Sequence, residues 1–150
     1  MRRIPLRRVG KSPTAKLKQE IQATLLAIAK IKFKGECIGK KWGHICSGWK
    51  NNGEIIYQCD HLLSRSNSAT FADHRLTVLV CKGLHGWKSV GSNLRKQEYD
   101  EMVRSVLPKE IVKLWDRCEK EKYRVSKMDW LLELTALQSH LKELQLTVDN

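Results

Sequence analysis

Residues 54–89 read EIIYQCDHLLSRSNSATFADHRLTVLVCKGLHGWKS, and this stretch decides the predicted fold. Two short β-like runs, residues 54–59 and 76–80, flank a polar loop over residues 64–74. Glycines interrupt the pattern after the second run, where a short helix is expected to begin with His85 in its first turn. The stretch therefore predicts a β-hairpin followed directly by a helix.

Asp60, His61 and His85 are the chemistry-bearing residues of this stretch. A carboxylate and an imidazole follow the first strand, and the later helix brings a second imidazole back towards them. Hydrolysis of a phosphodiester needs an activated water, a cation to neutralise the phosphate and help for the leaving oxygen. A neutral histidine suits the first task, because its unperturbed pKa of about 6.5 leaves it mostly unprotonated at pH 7. We therefore predict His61 as the general base, with Asp60 and His85 as ligands of a divalent metal ion.

The flanking sequence predicts helices. Ser12 and Pro13 signal a helix start, and apolar residues then recur at three- and four-residue steps to about Lys32. A second helix is expected from Ser92 or Asn93 to about residue 107, and others follow Pro108 and a capping box at Ser126 and Asp129. The fold class that follows is α+β.

Three segments are predicted along the chain. Residues 1–11 combine five basic residues with a proline and a glycine, which favours a flexible basic arm. Residues 12–107 form the core with its N-terminal helix, and residues 108–150 form a helical extension packed on that core.

The charge of the chain indicates its partner. Its 150 residues include 28 Lys and Arg against 16 Asp and Glu, a formal net charge of +12. Such an excess repels itself unless the partner is an anion, so nucleic acid is expected. No segment approaches the roughly 18 apolar residues of a membrane span or resembles a signal peptide, which predicts no membrane association and a cytoplasmic location. Five cysteines at irregular spacing favour reduced thiols or metal ligands over disulfides.

The run CDHLLSRSNSATFADHRLTVLVCKGLHGWKS, residues 59–89, resembles the core of HNH (ββα-metal) endonucleases, and more closely that of NinG/Rap-type phage recombination nucleases. The resemblance covers roughly residues 15–100. It implies a small ββα-metal core in which His61 matches the general base, Asp60 a metal ligand and His85 the final metal-ligand position. It also implies a phage or prophage protein that acts in the host cytoplasm, in recombination or in the processing of branched DNA.

The chain departs from that family at two points. The middle position of the HNH signature is usually an Asn that braces the loop, whereas Leu76 stands here, so His74, Asn67 or Asp73 must hold the loop. Many relatives also hold a structural zinc on two CxxC pairs. This chain offers Cys37, Cys46 and Cys81, with Leu84 in the place of a fourth Cys, and His44 or Cys59 could complete a zinc site.

Basic residues around the proposed site predict a DNA-facing surface. Their contacts with phosphates would give salt-sensitive affinity that depends little on sequence. Arg65, directly after the His61 turn, is expected to hold the scissile phosphate or to stabilise charge in the transition state. The predicted DNA-binding residues are Lys40, Lys41, Arg65, Lys82, Lys88, Arg95 and Lys96. Trp42, Trp49 and Trp87 lie nearby, and core packing is favoured over base stacking for each.

The predicted function is a divalent-metal-dependent DNA endonuclease that uses Mg²⁺ or Mn²⁺, with Zn²⁺ as a further option. A homodimer would be needed to cut both strands, because a single HNH site usually acts on one. The first alternative is a DNA-binding recombination accessory protein with weak catalysis, which Leu76 favours. The second is a zinc-stabilised adaptor whose basic surface binds RNA or a protein partner.

Overall fold

The structure, a computed structural model, describes residues 10–46, 50–51, 53–89, 93–121 and 128–149. It has a small α+β fold of helices and short antiparallel strands, as the sequence predicts. The helices are α1 (Pro13–Lys32), α2 (Lys82–Ser89), α3 (Asn93–Val106), α4 (Lys109–Glu121) and α5 (Trp130–Val148). The strands are β1 (Lys50–Asn51), β2 (Glu54–Ile55), β3 (Tyr57–His61) and β4 (Thr77–Cys81). Residues 1–9 of the predicted basic arm, Trp49, Ser92 and Ser126 lie outside the described residues.

Helix α1 begins and ends where the sequence indicates. The hydroxyl of Ser12 accepts a hydrogen bond from the backbone N–H of Ala15 at 3.2 Å, and Pro13 occupies the first turn. After Lys32 the chain turns through Gly35, whose φ of +69° is a conformation that glycine adopts without strain. The apolar positions Ile21, Leu25 and Ile28 are buried on one face of the helix.

The predicted hairpin is present, but its strands are shifted from the predicted bounds. Strand β3 pairs antiparallel with β4, and Asp60 and His61 lie within β3, opposite Val78 and Thr77, not after its end. Residues 54 and 55 instead form β2, which pairs with β1 in a separate two-stranded sheet. Leu76 precedes β4 in a short 3-10 turn. Strand β4 is buried along its whole length, so no alternation of polar and apolar residues marks where it begins.

Two apolar clusters hold the elements together. The first includes Val78 and Val80 of β4, Tyr99 of α3 and Trp115 of α4, together with Leu76. Trp42 and Trp87 pack against this cluster, as favoured from the sequence. Each large apolar side chain that is removed from water contributes about 1.5–3 kcal/mol to folding. The cluster therefore packs the β3–β4 hairpin against α2, α3 and α4.

The second cluster joins the two ends of the chain. Leu134 and Leu137 of α5 pack with Ile21, Leu25 and Ile28 of α1. Helix α5 begins at an N-cap that differs from the predicted capping box, because the Asp129 carboxylate itself accepts a hydrogen bond from the backbone N–H of Leu132 at 3.0 Å. Helix α5 therefore packs on α1, and its first turn lies close to the hairpin loop through Phe71.

The sequence also led us to expect no membrane span and cysteines without disulfides. Within the described residues, no helix combines the length and the apolar character that crossing a membrane requires. All five cysteines of the chain lie in the described part and are free thiols.

Candidate active site and cysteine cluster

Asp60 and His85 meet where strand β3 passes the middle of helix α2. Helix α2 starts directly after β4, and this places His85 Nε2 3.6 Å from Asp60 Oδ1. The Asp60 side chain is only 5% exposed, and His85 is 26% exposed. Burial lowers the pKa of His85, so that its imidazole is neutral at pH 7 and has a lone pair to offer. The fold thus brings together the two residues that the sequence predicts as metal ligands.

The separation of these two atoms is compatible with one shared ion. An ion with bonds of about 2.1 Å is shared by ligand atoms about 3.0 Å apart at right angles and about 4.2 Å apart when they are opposite each other. The Asp60–His85 distance of 3.6 Å lies between these limits. The pair supplies one oxygen and one nitrogen, so waters and phosphate oxygens would have to complete the coordination of an ion.

Asp60 also has two partners that the sequence did not predict. Lys88 Nζ donates hydrogen bonds to both carboxylate oxygens, at 2.8 and 2.6 Å. Tyr99 Oη donates to Oδ2 at 2.7 Å, and its pKa is raised well above the usual value by burial and by the neighbouring carboxylate. Lys88 was predicted to contact DNA, but its ammonium group is turned inward onto Asp60. The spacing of Lys88, three residues after His85 on the same helix, is the signal that could have indicated this contact.

His61 has one nitrogen fixed and one without a partner. Its Nε2 lies 2.9 Å from the backbone carbonyl oxygen of Phe71. A carbonyl only accepts hydrogen bonds, so Nε2 carries the proton and Nδ1 holds the lone pair. Nδ1 is buried and has no hydrogen-bond partner. The imidazole also stacks on the Phe71 ring, with 5.3 Å between the ring centres, and burial lowers the pKa of His61.

This orientation has a chemical consequence. A buried imidazole that is neutral at pH 7, held by one nitrogen and unpartnered at the other, is arranged to accept a proton at Nδ1. The arrangement is the one expected of the general base predicted at His61. The carbonyl of Phe71 could not be identified from side-chain patterns, because it is a backbone atom brought in by the loop.

An open cleft of about 320 Å³ borders the site. Its lining includes His61, His85 and Arg65, which the sequence analysis singled out together. The opposite wall is formed by α1 through Gln19 and Gln22, a contribution that no local sequence signal indicated. The cleft offers a place where an extended anionic ligand can reach both histidines.

The other predicted DNA-binding residues are distributed more widely. Of the seven, Arg65 alone lines the cleft with the histidines. Lys41 lines a second cleft beside Lys32 and Lys34, and Lys96 forms an ion pair with Asp100 at 3.1 Å. Arg95 lies over the Trp87 ring at 5.8 Å. Lys40 is exposed and lies on the turn before β1. Lys82 is half-buried and lies on α2. The cleft that contains the histidines therefore does not bring these seven residues together.

The loop between β3 and β4 is braced without an asparagine at position 76. Asp73 caps the 3-10 turn by accepting from the backbone N–H of Arg75 at 3.0 Å, and the same carboxylate binds the Arg75 side chain. The hydroxyl of Thr77 donates to the carbonyl oxygen of His74 at 2.9 Å. Leu76 is instead a core residue, 1% exposed. All three residues predicted to hold the loop contribute, Asp73 through its carboxylate and His74 and Asn67 through backbone hydrogen bonds, whereas the side-chain oxygen of Asn67 has no hydrogen-bond partner.

Cys37, Cys46 and Cys81 form a cluster at the junction of β4 and α2. Their sulfur atoms all lie within 4.8 Å of one another, so they could hold a metal ion. The backbone N–H of Cys81 donates to the Cys37 sulfur at 3.2 Å, and that of Leu84 donates to the Cys81 sulfur at 3.3 Å. Such bonds stabilise thiolates, the form in which cysteine binds metals. Burial raises the pKa of Cys46 to about 12, so without a cation the Cys46 thiol stays protonated.

His44 adjoins this cluster and Cys59 does not. His44 Nε2 lies 3.3 Å from the Cys81 sulfur. Cys59 packs against the α1–α5 cluster, and its thiol interacts with Thr77, so the alternative that Cys59 completes the cysteine site is not supported. Leu84 occupies the predicted place of a fourth cysteine and fills the core beside the cluster.

Comparison with known proteins found no match among protein-family models, curated proteins or solved structures. The function of the chain must therefore be inferred from the chemistry and geometry of its own residues.

Proposed function

We propose that this protein is a divalent-metal-dependent DNA endonuclease of the HNH type, with β3, β4 and α2 as its ββα core. One observation carries the proposal. His61 is held through Nε2 by the Phe71 carbonyl with Nδ1 unpartnered, and it shares a cleft with His85, whose own Nε2 lies 3.6 Å from Asp60. A base and a metal-binding histidine at one cleft, with a buried carboxylate in contact with that histidine, supply groups that phosphodiester hydrolysis needs.

The proposed roles follow from the positions of the side chains. His61 accepts the proton of the attacking water at Nδ1, and the Phe71 carbonyl keeps its ring in the required tautomer and orientation. Asp60 and His85 would hold a divalent cation, which when bound neutralises charge on the phosphate and assists the leaving oxygen. Tyr99 orients the Asp60 carboxylate through its hydrogen bond to Oδ2.

Arg65 is the proposed phosphate-binding residue. It is exposed and lines the cleft with both histidines, so a phosphate bound in the cleft can meet the guanidinium group. Guanidinium groups bind phosphate oxygens in a bidentate manner and stay charged at any working pH. Arg65 would therefore position the scissile phosphate and stabilise the charge that develops on it.

The cysteine cluster is proposed to hold a structural zinc ion. Cys37, Cys46 and Cys81 supply three sulfur ligands. His44 lies 3.3 Å from the Cys81 sulfur but outside the group whose ligand atoms are all within 4.8 Å of one another, so its ring would have to move closer to serve as the proposed fourth ligand. Three cysteines and one histidine form one of the common closed sets of structural zinc sites. The ion would fasten the turn after α1 to the junction of β4 and α2, and so support the helix that carries His85.

The proposed activity has a defined pH dependence. Burial lowers the pKa values of His61 and His85 below 6.5, and only their neutral forms can accept a proton or bind a metal ion. The cleavage rate should therefore fall at acidic pH with a midpoint below pH 6.5. Single-turnover rates at saturating metal measure this profile. An acidic limb with its midpoint at or above pH 6.5 would contradict the assignment.

A DNA-binding recombination accessory protein with weak cleavage is the second candidate. The observation that favours it is the ion pair between Lys88 and Asp60, because an ammonium group already neutralises the proposed metal ligand. Phage or prophage recombination, branched DNA as the substrate and a dimer for double-strand cleavage are proposed on the family resemblance alone.

A plasmid assay tests the proposal. The purified protein is incubated with supercoiled plasmid and with a four-way DNA junction, in Mg²⁺ or Mn²⁺ and in EDTA. Nicking or cutting that requires the metal supports the nuclease. Binding of DNA without cutting supports the accessory protein, and the absence of both leaves the zinc-stabilised adaptor.

A further inference from the structure

Lys88 already donates hydrogen bonds to both oxygens of Asp60, the carboxylate that is proposed to bind a metal ion. Its ammonium group lies 2.6 Å from Oδ2 and 2.8 Å from Oδ1, so it bridges both oxygens. Tyr99 adds a further hydrogen bond to Oδ2. Burying a carboxylate without compensation is strongly unfavourable, and Lys88 supplies the compensating charge. The ammonium group of Lys88 therefore neutralises the negative charge of Asp60 in this structure.

The ammonium group also lies on the same side of α2 as His85. The two residues are three positions apart on the helix, a spacing that places both side chains on one face. Both contact the same carboxylate, since His85 Nε2 is 3.6 Å from Oδ1. A divalent cation bound between Asp60 and His85 would therefore compete with Lys88 for the same oxygens, and the two positive charges would repel each other.

Lys88 is held in this position by packing as well as by charge. Its side chain is 14% exposed, and Nζ lies 4.7 Å from the centre of the Tyr99 ring. Cation–π attraction and burial of the methylene chain both favour this inward conformation. Lys88 begins on α2, the helix that borders the cleft through His85.

We propose that Lys88 is a built-in counter-cation that occupies the metal position until DNA binds. This inference rests on the proposed nuclease function. A phosphate that enters the cleft offers the ammonium group a new anionic partner, Lys88 transfers to it, and Asp60 becomes available to the divalent cation. Metal and DNA should therefore bind cooperatively, and by thermodynamic reciprocity each should tighten the other by the same factor. Free protein is left with a weakly occupied metal site.

The test is the affinity for Mn²⁺ without DNA, measured by titration calorimetry on zinc-loaded protein. Lys88→Met and Lys88→Gln are compared with the wild type and with Lys113→Met, which removes an exposed lysine from α4. The glutamine variant keeps a hydrogen-bond donor for Asp60 while removing the charge. We expect both Lys88 variants to bind Mn²⁺ at least tenfold more tightly than the wild type, and Lys113→Met to equal it. Circular dichroism establishes that each variant is folded.

A second measurement keeps Lys88 in place and therefore does not depend on the folding of the Lys88 variants. Adding a short DNA duplex to the His61→Ala protein, which should not cut it, is expected to tighten Mn²⁺ binding at least tenfold. Unchanged or weaker Mn²⁺ affinity in the folded Lys88 variants, in a protein whose wild type cuts plasmid, would overturn the role of Lys88 alone. No Mn²⁺ binding by any variant and no cutting would overturn this role and the nuclease function together.

Discussion

Replacing His61 by alanine is expected to lower the single-turnover rate of DNA cleavage by about 10³-fold, within the range that general-base catalysis contributes. The physical reason is the loss of Nδ1, the unpartnered nitrogen that we propose accepts the proton of the attacking water. Asp60, His85 and Arg65 remain in the variant, so metal and DNA affinities should change by no more than about twofold. Rates are measured at saturating metal and protein concentrations.

His140→Ala is the matched control for this experiment. His140 lies on α5 and stacks on His74 with ring centres 4.1 Å apart, and it does not line the cleft that contains His61. Its variant should cut DNA at the wild-type rate. Retention of more than a tenth of the wild-type rate by folded His61→Ala would remove His61 from the role of general base.

Removal of the metal from the cysteine cluster is expected to have the largest effect on stability. Protein purified under reducing conditions without chelators should contain one zinc ion per chain, and Cys81→Ser protein should contain none. Because a structural zinc ion binds the folded chain and not the unfolded one, its loss should cost about 3 kcal/mol or more, which lowers the Tm of a domain of this size by about 10 °C. Metal analysis and thermal denaturation measure the two quantities.

Cys118→Ser provides the comparison. Cys118 is a half-buried thiol of α4 and does not belong to the cluster of Cys37, Cys46 and Cys81. This variant should retain zinc and lose little stability. Wild-type protein without zinc, together with equal Tm values for the two serine variants, would show that the three thiols are ordinary core residues.

The parts of the fold that could be predicted are those with local signals. The cap at Ser12 and the periodic apolar residues predicted α1, and two β-branched runs around a polar loop predicted the hairpin. The convergence of Asp60 and His85 followed from topology, since a helix that leaves β4 directly must pass the paired strand β3. The strand boundaries were missed because β4 is buried throughout and carries no alternating pattern.

The parts that could not be predicted depend on contacts between distant residues or on backbone atoms. Tyr99 reaches Asp60 from α3, 39 residues later in the chain, and nothing in the local sequence indicates it. The carbonyl of Phe71 fixes His61, but a carbonyl is present at every residue. Lys88 was predicted to contact DNA, although its spacing from His85 already placed it on the same helix face. The sequence thus indicated which side chains could carry the chemistry, but it did not indicate the hydrogen-bond and ion-pair partners that hold those side chains in place.

The central claim is that Asp60 and His85 hold one divalent cation beside His61. Its most direct test is the electron spin-echo spectrum of Mn²⁺ bound to the zinc-loaded His61→Ala protein in complex with a short DNA duplex. We expect one Mn²⁺ per chain with modulation from one directly bound nitrogen, which disappears when His85→Ala is added and remains when His140→Ala is added. A spectrum without bound nitrogen, or one that His85→Ala leaves unchanged, would contradict the claim.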